Sequence, residues 1–252
     1  MLIKNLNYIL MLICLTFILG SCGNDKKSGT DGNDSTAVKV TEGDPAICLW
    51  SSVTLKASPE QNGKYVTNIY MGETATFLGE TATDSTVKNK PREYVKLKLK
   101  DGTKGWVQAN YVAIKAKPYA VKNMTKLYKR PDILAPGKDQ FEQMQFVVVT
   151  EEQDGWVKIK GKKRADSWFK EGWIKIENLT STEADITVSI LAERAMGKET
   201  PEKKTEALNE IIDNPDLNSS MFISNIRTLI DQQNSSNVIN NQPEGELETQ
   251  GD

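Results

Sequence analysis

The sequence predicts a mainly β protein in which two small β-barrels in tandem precede a small all-α segment of about three helices. Three observations predict this order. A polar turn followed by Gly-Trp occurs twice, in KDGTKGWVQANYVAI at 100–114 and in FKEGWIKIENL at 169–179. Short runs near each copy alternate apolar residues with lysine, the period of a half-buried strand. After residue 180 the apolar residues follow a helical period instead.

The two Gly-Trp segments belong to a longer internal repeat. An offset of 72 residues pairs Leu55 with Leu127 and Pro59 with Pro131. An offset of 71 residues aligns TATFLGE with QFVVVTE, and EYVKLKLKDG then aligns with GWVKIKGKK. The offset changes between blocks, as expected if loops vary in length while strands do not.

Each block reads as short β-strands joined by tight turns. In the first copy Val95 and Leu97 alternate with lysines, and Val157 and Ile159 do so in the second. Asp-Gly at 101–102 supplies the permissive backbone of a hairpin. Trp106 and Trp173 are predicted core residues, each a large ring that closes a small barrel, with the preceding glycine letting the ring fold over a neighbouring strand.

This order of segments resembles the bacterial SH3-like domain. The first copy covers residues 46–117, and 118–180 resembles a divergent second copy, with Met144 where the first has Gly72 and an insertion in KGKKRADSWFKEGW. The resemblance implies two SH3-like barrels. It also implies binding of peptidoglycan peptides or of proteins, or a spacer role within an envelope protein.

The start of the chain has the pattern of a lipoprotein signal peptide, residues 1–21. Its apolar core from Tyr8 to Leu19 is too short to span a bilayer. LGSC at 19–22 resembles the lipobox, which implies acylation of Cys22, palmitate included, and anchoring to a membrane. Gly23 favours the outer membrane, on its periplasmic face or at the cell surface. The polar residues 22–45 predict a flexible tether.

Charge is distributed unevenly along the chain. Residues 46–180 hold 23 Lys or Arg against 15 Asp or Glu, whereas residues 181–252 hold 5 against 14. Either the acidic part docks on the basic part, or a basic face is kept for an anionic partner. An anchor outside the cytoplasm argues against nucleic acid as that partner.

The residue types narrow the possible chemistry. The chain contains no histidine, which removes Ser-His and Cys-His nucleophile pairs and histidine-containing zinc sites. Cys48, in the apolar run AICLW, is predicted to be a buried inert thiol, and no disulfide framework is expected. No catalytic residue, metal site or cofactor is predicted. A pair of carboxylates acting on a glycoside stays open as an enzymatic alternative.

Five residues are the candidates for ligand binding: Trp168, Arg164, Lys170, Tyr94 and Trp156. The first three lie in the inserted loop RADSWFKEGW, where an aromatic ring beside cations suits a sugar or a peptide carboxylate. The alternative is that Trp168 and Phe169 cap the barrel or fill the junction between the two barrels. Tyr94 and Trp156 begin equivalent strands, on the outward face that also carries the lysines. These lysines form one stripe in each copy, and each stripe is either a solvated face or an attraction for anionic glycan. The stripes are Lys96, Lys98, Lys100 and Lys104 in the first copy and Lys158, Lys160, Lys162 and Lys163 in the second.

The C-terminal part, residues 181–233, predicts an acidic helical domain. Thr180 with Glu183 fits a capping box for a first helix, which ends at Gly197. Thr200-Pro201 begins a second helix, and a third is expected from Asn218 or Ser219. Residues 234–252 are predicted to be a disordered tail.

Together these observations favour a non-catalytic cell-envelope lipoprotein whose tandem SH3-like domains act as a binding or scaffold module, with peptidoglycan as the leading ligand. An envelope adaptor that recognises another protein through its helices or its Trp168 loop is the first alternative. A carboxylate-based wall hydrolase is the second.

Overall fold

The computed structural model describes residues 39–86, 90–163 and 167–240, with side chains to residue 235. The predictions for the signal peptide, Cys22, Arg164 and residues 241–252 lie outside this part. By its internal contacts the chain divides into two units, Met1–Ala37 and the compact unit Val38–Asp252, which holds every element below. In the described part, no helix combines the length and the apolar character needed to cross a bilayer.

The first β domain is one seven-stranded antiparallel sheet in the order β3-β2-β6-β5-β4-β1-β7, with a 3₁₀ turn at Ala109–Tyr111 before the last strand. Its strands are β1 (Pro45–Cys48), β2 (Ser52–Lys56), β3 (Tyr65–Tyr70), β4 (Thr74–Asp84), β5 (Arg92–Lys98), β6 (Lys104–Gln108) and β7 (Val112–Ile114).

The second β domain repeats this arrangement, in the order β10-β9-β13-β12-β11-β8-β14, with a 3₁₀ turn at Ile176–Asn178. Its strands are β8 (Lys117–Val121), β9 (Thr125–Tyr128), β10 (Pro136–Phe141), β11 (Phe146–Gln153), β12 (Trp156–Lys162), β13 (Phe169–Lys175) and β14 (Leu179–Thr180). Strand for strand the two orders are the same. The predicted fold class, two β domains before a helical segment, is confirmed.

The turn that differs in sequence between the two domains has the same geometry in both. The Gly72 N–H donates to the Cys48 carbonyl at 2.9 Å, and the Met144 N–H donates to the Val121 carbonyl at 2.8 Å. Gly72 has φ +80° and Met144 has φ +71°. A non-glycine residue rarely adopts this left-handed backbone. The second domain therefore keeps the turn at a conformational cost.

Each domain encloses its own apolar core, built from the predicted alternation. In the first, Leu55 and Leu97 are fully buried, and in the second, Ile159 and Ile174 are. Leu55 and its repeat partner Leu127 both lie in these cores. The lysines between the inward residues point to the outer surface, as a period of two requires.

The expectation that Trp106 and Trp173 are core residues was wrong. Both are only half-buried, and the glycines before them are the buried members of the strands. A Cβ on Gly105 would lie 2.9 Å from Leu55 Cβ, and one on Gly172 would lie 2.7 Å from Leu127 Cγ. A glycine is needed at both positions because the core leucine of the adjoining strand occupies the space that a side chain there would fill. Alternation then places each tryptophan on the outer face.

Three helices follow: α1 (Glu183–Met196), α2 (Pro201–Ile212) and α3 (Ile223–Asn240), with a 3₁₀ turn at Pro215–Leu217 between the last two. The predicted start of α2 is confirmed, because the Thr200 hydroxyl accepts the Lys203 N–H. α3 begins later than expected and extends past residue 234, where a disordered tail was predicted.

The predicted capping box at the start of α1 was wrong. Thr182 is the N-cap residue, without a side-chain cap bond. The Thr180 hydroxyl instead donates to Asp185 Oδ2 at 2.7 Å. Asp185 Oδ1 accepts the Ser220 hydroxyl at 2.8 Å and the Met221 N–H at 2.9 Å. This buried carboxylate ties the last strand to the helices.

Helix α1 contacts both β domains at their equivalent turns. Ile190 Cδ1 lies where a Cβ on Gly72 would be, 2.3 Å from that position. The Ser189 hydroxyl donates to the Met144 carbonyl at 2.6 Å. Arg194 donates to the Met71 carbonyl at 3.0 Å. The helical segment therefore packs on both domains through one helix, largely by apolar and hydrogen-bonded contacts.

Candidate ligand-binding site

Trp168, the leading candidate from the sequence, is 73% exposed. The alternative that Trp168 fills the junction between the domains is wrong, because a residue with this exposure is not packed there. Its neighbour Phe169 fills the junction instead. The Phe169 ring meets the Trp50 ring edge-on, with centroids 5.6 Å apart, and thereby joins the second domain to the first. Trp168 is left as an accessible aromatic surface.

Lys170, predicted beside Trp168 to pair with a ligand carboxylate, pairs with a carboxylate of its own chain. Its amine lies 3.1 Å from Asp139 Oδ2, and the Lys163 amine lies 3.3 Å from Asp139 Oδ1. The hydrogen bond from Lys170 and that from Lys163 hold the pKa of Asp139 below its usual value against the opposing effect of burial. This arrangement fastens the inserted connection to β10.

Tyr94 and Trp156 were expected to face outward and be accessible. They do lie on the outer faces of their strands, but they are 1% and 6% exposed. Trp156 is covered by Tyr128, whose ring lies edge-on at 5.0 Å, and by the Lys175 amine, 4.3 Å from the ring centroid. A second layer of side chains thus shields an outer face that strand alternation alone would leave open.

Tyr94 lies instead at a cavity on the outer face of the first domain. The cavity measures about 200 Å³ and is bordered by three aromatic side chains and several polar ones. The lining residues are Trp50, Ser52, Val53, Thr54, Lys56, Tyr94, Gln108 and Tyr111. They come from the β1–β2 connection, from β2, β5 and β6, and from the 3₁₀ turn.

The Tyr94 hydroxyl is the unusual group in this cavity. Its oxygen is buried and makes no hydrogen bond to any described residue. A buried hydroxyl without a partner costs roughly 1–3 kcal/mol, so each such group calls for an explanation. A polar group of a bound ligand would satisfy it.

Trp50 forms the wall between this cavity and the domain junction. Its ring lies 5.4 Å from the Tyr111 ring, and the Lys162 amine stands 3.7 Å above its centroid. Lys162 is 4% exposed. With Phe169 on its other side, Trp50 is held from both domains, so the second domain fixes one wall of the cavity in the first.

Sequence reasoning did not identify Trp50 or Tyr111. A signal was available for each: Trp50 directly follows the buried run AICL, and Tyr111 follows the Gly-Trp block. Their convergence depends on the pairing of β2 with β6, because Trp50 lies just before β2 and Tyr111 lies in the 3₁₀ turn that follows β6. The spacing of residues along the chain does not show it.

The lysine stripes have different surroundings in the two domains. In the first, Lys98, Lys100 and Lys104 are exposed. In the second, Lys158 pairs with Glu151 at 2.8 Å and with Glu171 at 3.1 Å. Burial lowers the pKa of Lys160, whose amine lies 5.2 Å from the Phe169 centroid. Only the first stripe is therefore a solvated cationic face.

One buried carboxyl group and the distribution of possible metal ligands bear on the chemistry of this region. Burial raises the pKa of Glu193 on α1, while the neighbouring Lys162 opposes that shift. Within residues 39–86, 90–163 and 167–240, no group of three or more Cys, Asp or Glu side chains could hold a metal ion. The site offers aromatic surface, amide and hydroxyl groups, which suit binding by stacking and hydrogen bonds.

Comparison with known proteins identifies part of this region. Residues 51–113 match the sequence model of the Bacterial SH3 domain family, a segment that includes Tyr94, Gln108 and Tyr111. No curated protein matches the chain.

Solved structures show weak likenesses. Those of NlpC1 and NlpC2 from Trichomonas vaginalis are both 12% identical, with TM-scores of 0.23 and 0.24 over 63% and 68% of this chain. The matches span 55% and 57% of those two chains, just over half their length. The structure titled Endolysin LysPBC5 CBD is 19% identical, with a TM-score of 0.21, over 57% of this chain and 97% of that one. At these values none of the three carries an argument about function.

Proposed function

We propose that this protein is a non-catalytic binding module of the bacterial cell envelope, anchored to a membrane through acylated Cys22, and that its ligand is peptidoglycan. The match of residues 51–113 to the Bacterial SH3 domain supports the class of module. The lipobox pattern at 19–22 supports the location. In this proposal the second β domain is a divergent copy of the first.

The observation that carries the proposal is the Tyr94 cavity. Aromatic walls from Trp50 and Tyr111 offer stacking surface, and the buried, unpartnered Tyr94 hydroxyl offers one donor and one acceptor to a ligand once the side chains that cover it move aside. Gln108 adds an amide at the rim. The cavity of about 200 Å³ is smaller than the ~300–1,000 Å³ typical of ligand sites. Its size suits one short residue of a stem peptide better than a whole disaccharide.

The test is co-sedimentation of residues 38–252 with purified peptidoglycan sacculi. Tyr94→Phe removes only the hydroxyl, and we expect it to weaken binding about tenfold, the effect of one lost buried hydrogen bond. Tyr65→Phe, on a ring that is 60% exposed, is the matched control and should bind as the wild type does. Stem peptides released from the sacculi should compete, whereas glycan strands stripped of peptide should not.

Equal binding by Tyr94→Phe and wild type would exclude the cavity as the contact. Loss of binding at high salt alone would assign it to the exposed lysines of the first domain. Release of labelled wall fragments during the incubation would contradict the non-catalytic role and restore the carboxylate-based hydrolase.

A second candidate function is a protein adaptor, and the exposure of Trp168 favours it. An indole ring that is 73% exposed beside a fixed strand is the kind of anchor found at the centre of protein interfaces. If Trp168→Ala abolishes capture of an envelope protein while sacculus binding is unchanged, the Trp168 loop serves this function. If Trp168→Ala weakens sacculus binding, the loop belongs to the wall site together with Tyr94.

A further inference from the structure

The second β domain exposes two adjacent aliphatic side chains at the tip of its β9–β10 hairpin. Ile133 is 67% exposed and Leu134 is 82% exposed. We call this pair the apolar tip. Single exposed aliphatic residues are ordinary on protein surfaces, but two at the end of a protruding connection are not explained by the packing of the domain.

The connection that carries the apolar tip is a closed turn. Asp132 Oδ1 accepts the Leu134 N–H at 2.9 Å, and Asp132 Oδ2 accepts from Arg130 at 3.2 Å. The Lys129 N–H donates to the Ala135 carbonyl at 3.0 Å. These bonds fix the backbone, so that the apolar tip is presented outward by structure and little ordering is needed when it is buried against a partner.

The surroundings of the tip are cationic. Residues 122–140 hold five Lys or Arg against two Asp. Both carboxylates are already paired within the chain, Asp132 with Arg130 and Asp139 with Lys163 and Lys170. Lys126, Lys129 and Lys138 are exposed on the hairpin. The surface therefore combines an apolar end with positive charge along its sides.

The equivalent loop of the first domain shows that the fold does not require an apolar tip. There the sequence is SPEQNG at 58–63, without an aliphatic residue. The Gln61 N–H donates to Asp84 Oδ2 at 2.9 Å, and Arg92 donates to the Gln61 side chain, so that this loop is fastened to its own domain. The apolar tip is a property of the second domain alone.

From this combination we propose that the β9–β10 hairpin is a contact surface for a bilayer that contains anionic lipid. Aliphatic side chains gain by entering the boundary between headgroups and acyl chains, and lysines nearby gain by meeting lipid phosphates. Lysine stems can lie along the apolar region while the amines stay at the headgroups. The surface does not include the Tyr94 cavity, so the inference does not depend on the proposed wall ligand.

The test is co-sedimentation of residues 38–252, which lack Cys22, with phosphatidylcholine vesicles with and without phosphatidylglycerol. The wild type should bind the anionic vesicles, and high salt should weaken binding. The double variant Ile133→Ser, Leu134→Ser should lower the partition coefficient about tenfold, because the apolar area that enters the bilayer is removed. Lys126→Gln, Lys138→Gln should lower it about tenfold through lost attraction to phosphate.

Two matched controls remove similar groups elsewhere. Tyr65→Ser, Met221→Ser deletes two other exposed apolar side chains, and Lys98→Gln, Lys104→Gln deletes two exposed charges of the first domain. Both should bind as the wild type does. Sedimentation of each variant with sacculi and its melting temperature should be unchanged, which separates a failure of this inference from a failure of the proposed wall binding or of folding.

Wild-type protein that fails to sediment with anionic vesicles would overturn the proposal, and so would a tip variant that binds as well as the wild type. Equal binding to neutral and anionic vesicles would overturn the assignment to anionic lipid.

Discussion

The two β domains have the same strand order and the same left-handed turn, at Gly72 in the first and at Met144 in the second, yet their outer faces differ. In the first, Tyr94 lies at a cavity and its hydroxyl lacks a partner in the described structure. In the second, Trp156 occupies the equivalent strand position and is packed against Tyr128 and Lys175. The first domain has a buried polar group without a partner beside its cavity, whereas the second has a packed aromatic ring at the equivalent position.

The difference suggests a division of roles. Features that define the fold, such as the inward glycines and the left-handed turns, are present in both domains. Features that suit a partner occur in one domain each: the cavity in the first, and the exposed Trp168 and apolar tip in the second. Substitutions at equivalent positions can therefore separate what the fold needs from what binding needs.

The largest loss of stability is expected when the inward-facing glycines Gly105 and Gly172 are replaced by alanine, and both domains should lose stability. Gly172→Ala should lower the free energy of unfolding by about 3 kcal/mol and Gly105→Ala by about 2 kcal/mol, because each Cβ overlaps a core leucine and a backbone oxygen. For Gly172 that oxygen, of Tyr128, lies 2.8 Å from the Cβ position. Urea denaturation of both variants and of the wild type measures these free energies and shows which loss is larger.

The control for this pair is Gly102→Ala, a turn glycine with φ +88° and no atom within 4 Å of its Cβ position. This substitution adds only the strain of a Cβ at a left-handed φ, about 1–2 kcal/mol. If Gly102→Ala cost as much as Gly172→Ala, the explanation by close approach to the leucines would be wrong.

The next effect should distinguish the domains. Trp156→Phe removes part of the edge-on contact with Tyr128 and the contact with the Lys175 amine, and we expect a loss of about 1–2 kcal/mol in stability. Tyr94→Phe removes a buried hydroxyl without a described partner, so stability should stay the same or rise by up to about 1 kcal/mol. A clear loss of stability in Tyr94→Phe would show that the hydroxyl is satisfied in solution.

A smaller effect is expected at Cys48, whose counterpart in the second domain is Val121. Burial raises the pKa of the Cys48 thiol to about 11, with a backbone hydrogen bond from Trp50 opposing the shift. At pH 8 about one thiol in a thousand is then ionised. In residues 38–252 this cysteine is the sole thiol, and a disulfide reagent should react with it far more slowly than in urea-unfolded protein.

Cys48→Val makes the first domain like the second at this position and should change stability by about 1 kcal/mol or less. Fast labelling of the native protein at pH 8 would contradict the buried site, whatever the stability of this variant.

The smallest effect concerns Asp139, which only the second domain has at its edge strand. Its pKa is lowered in the folded state, so its stabilising contribution is present above the unfolded carboxyl pKa of about 3.9 and disappears as the pH falls through the lower folded value. Asp139→Asn should thus lower the melting temperature slightly at pH 7 and by less at pH 2. The same loss at both pH values would exclude the ion pairs with Lys163 and Lys170 as its cause.

The sequence predicted the fold class because strand alternation, the repeat and the change to a helical period are local signals. It paired Leu55 with Leu127 in the repeat, and it placed Thr200 at the start of α2. It misplaced Trp106 and Trp173, because size was taken as a sign of burial where the close approach of a neighbouring leucine decided which residue faced inward.

The candidate site was predictable only in part. Tyr94 was identified as a residue of the outer face, but the presence of Trp50 and Tyr111 at the same cavity depends on the pairing of β2 with β6. Lys170 was identified as a charge beside an aromatic ring, but its partner Asp139 lies on another strand. Contacts between segments distant along the chain are what a single sequence does not reveal.

The position of α1 has a consequence for how the molecule unfolds. Ile190 is seated on the Gly72 turn, Ser189 bonds the Met144 turn, and Ala120 of the second domain is part of the helical core. Releasing α1 exposes apolar surface on both domains at once, and losing either domain removes part of the surface on which α1 packs. The described elements should therefore melt in one cooperative transition, in which calorimetric and van't Hoff enthalpies agree, although they comprise two sheets and a helical segment.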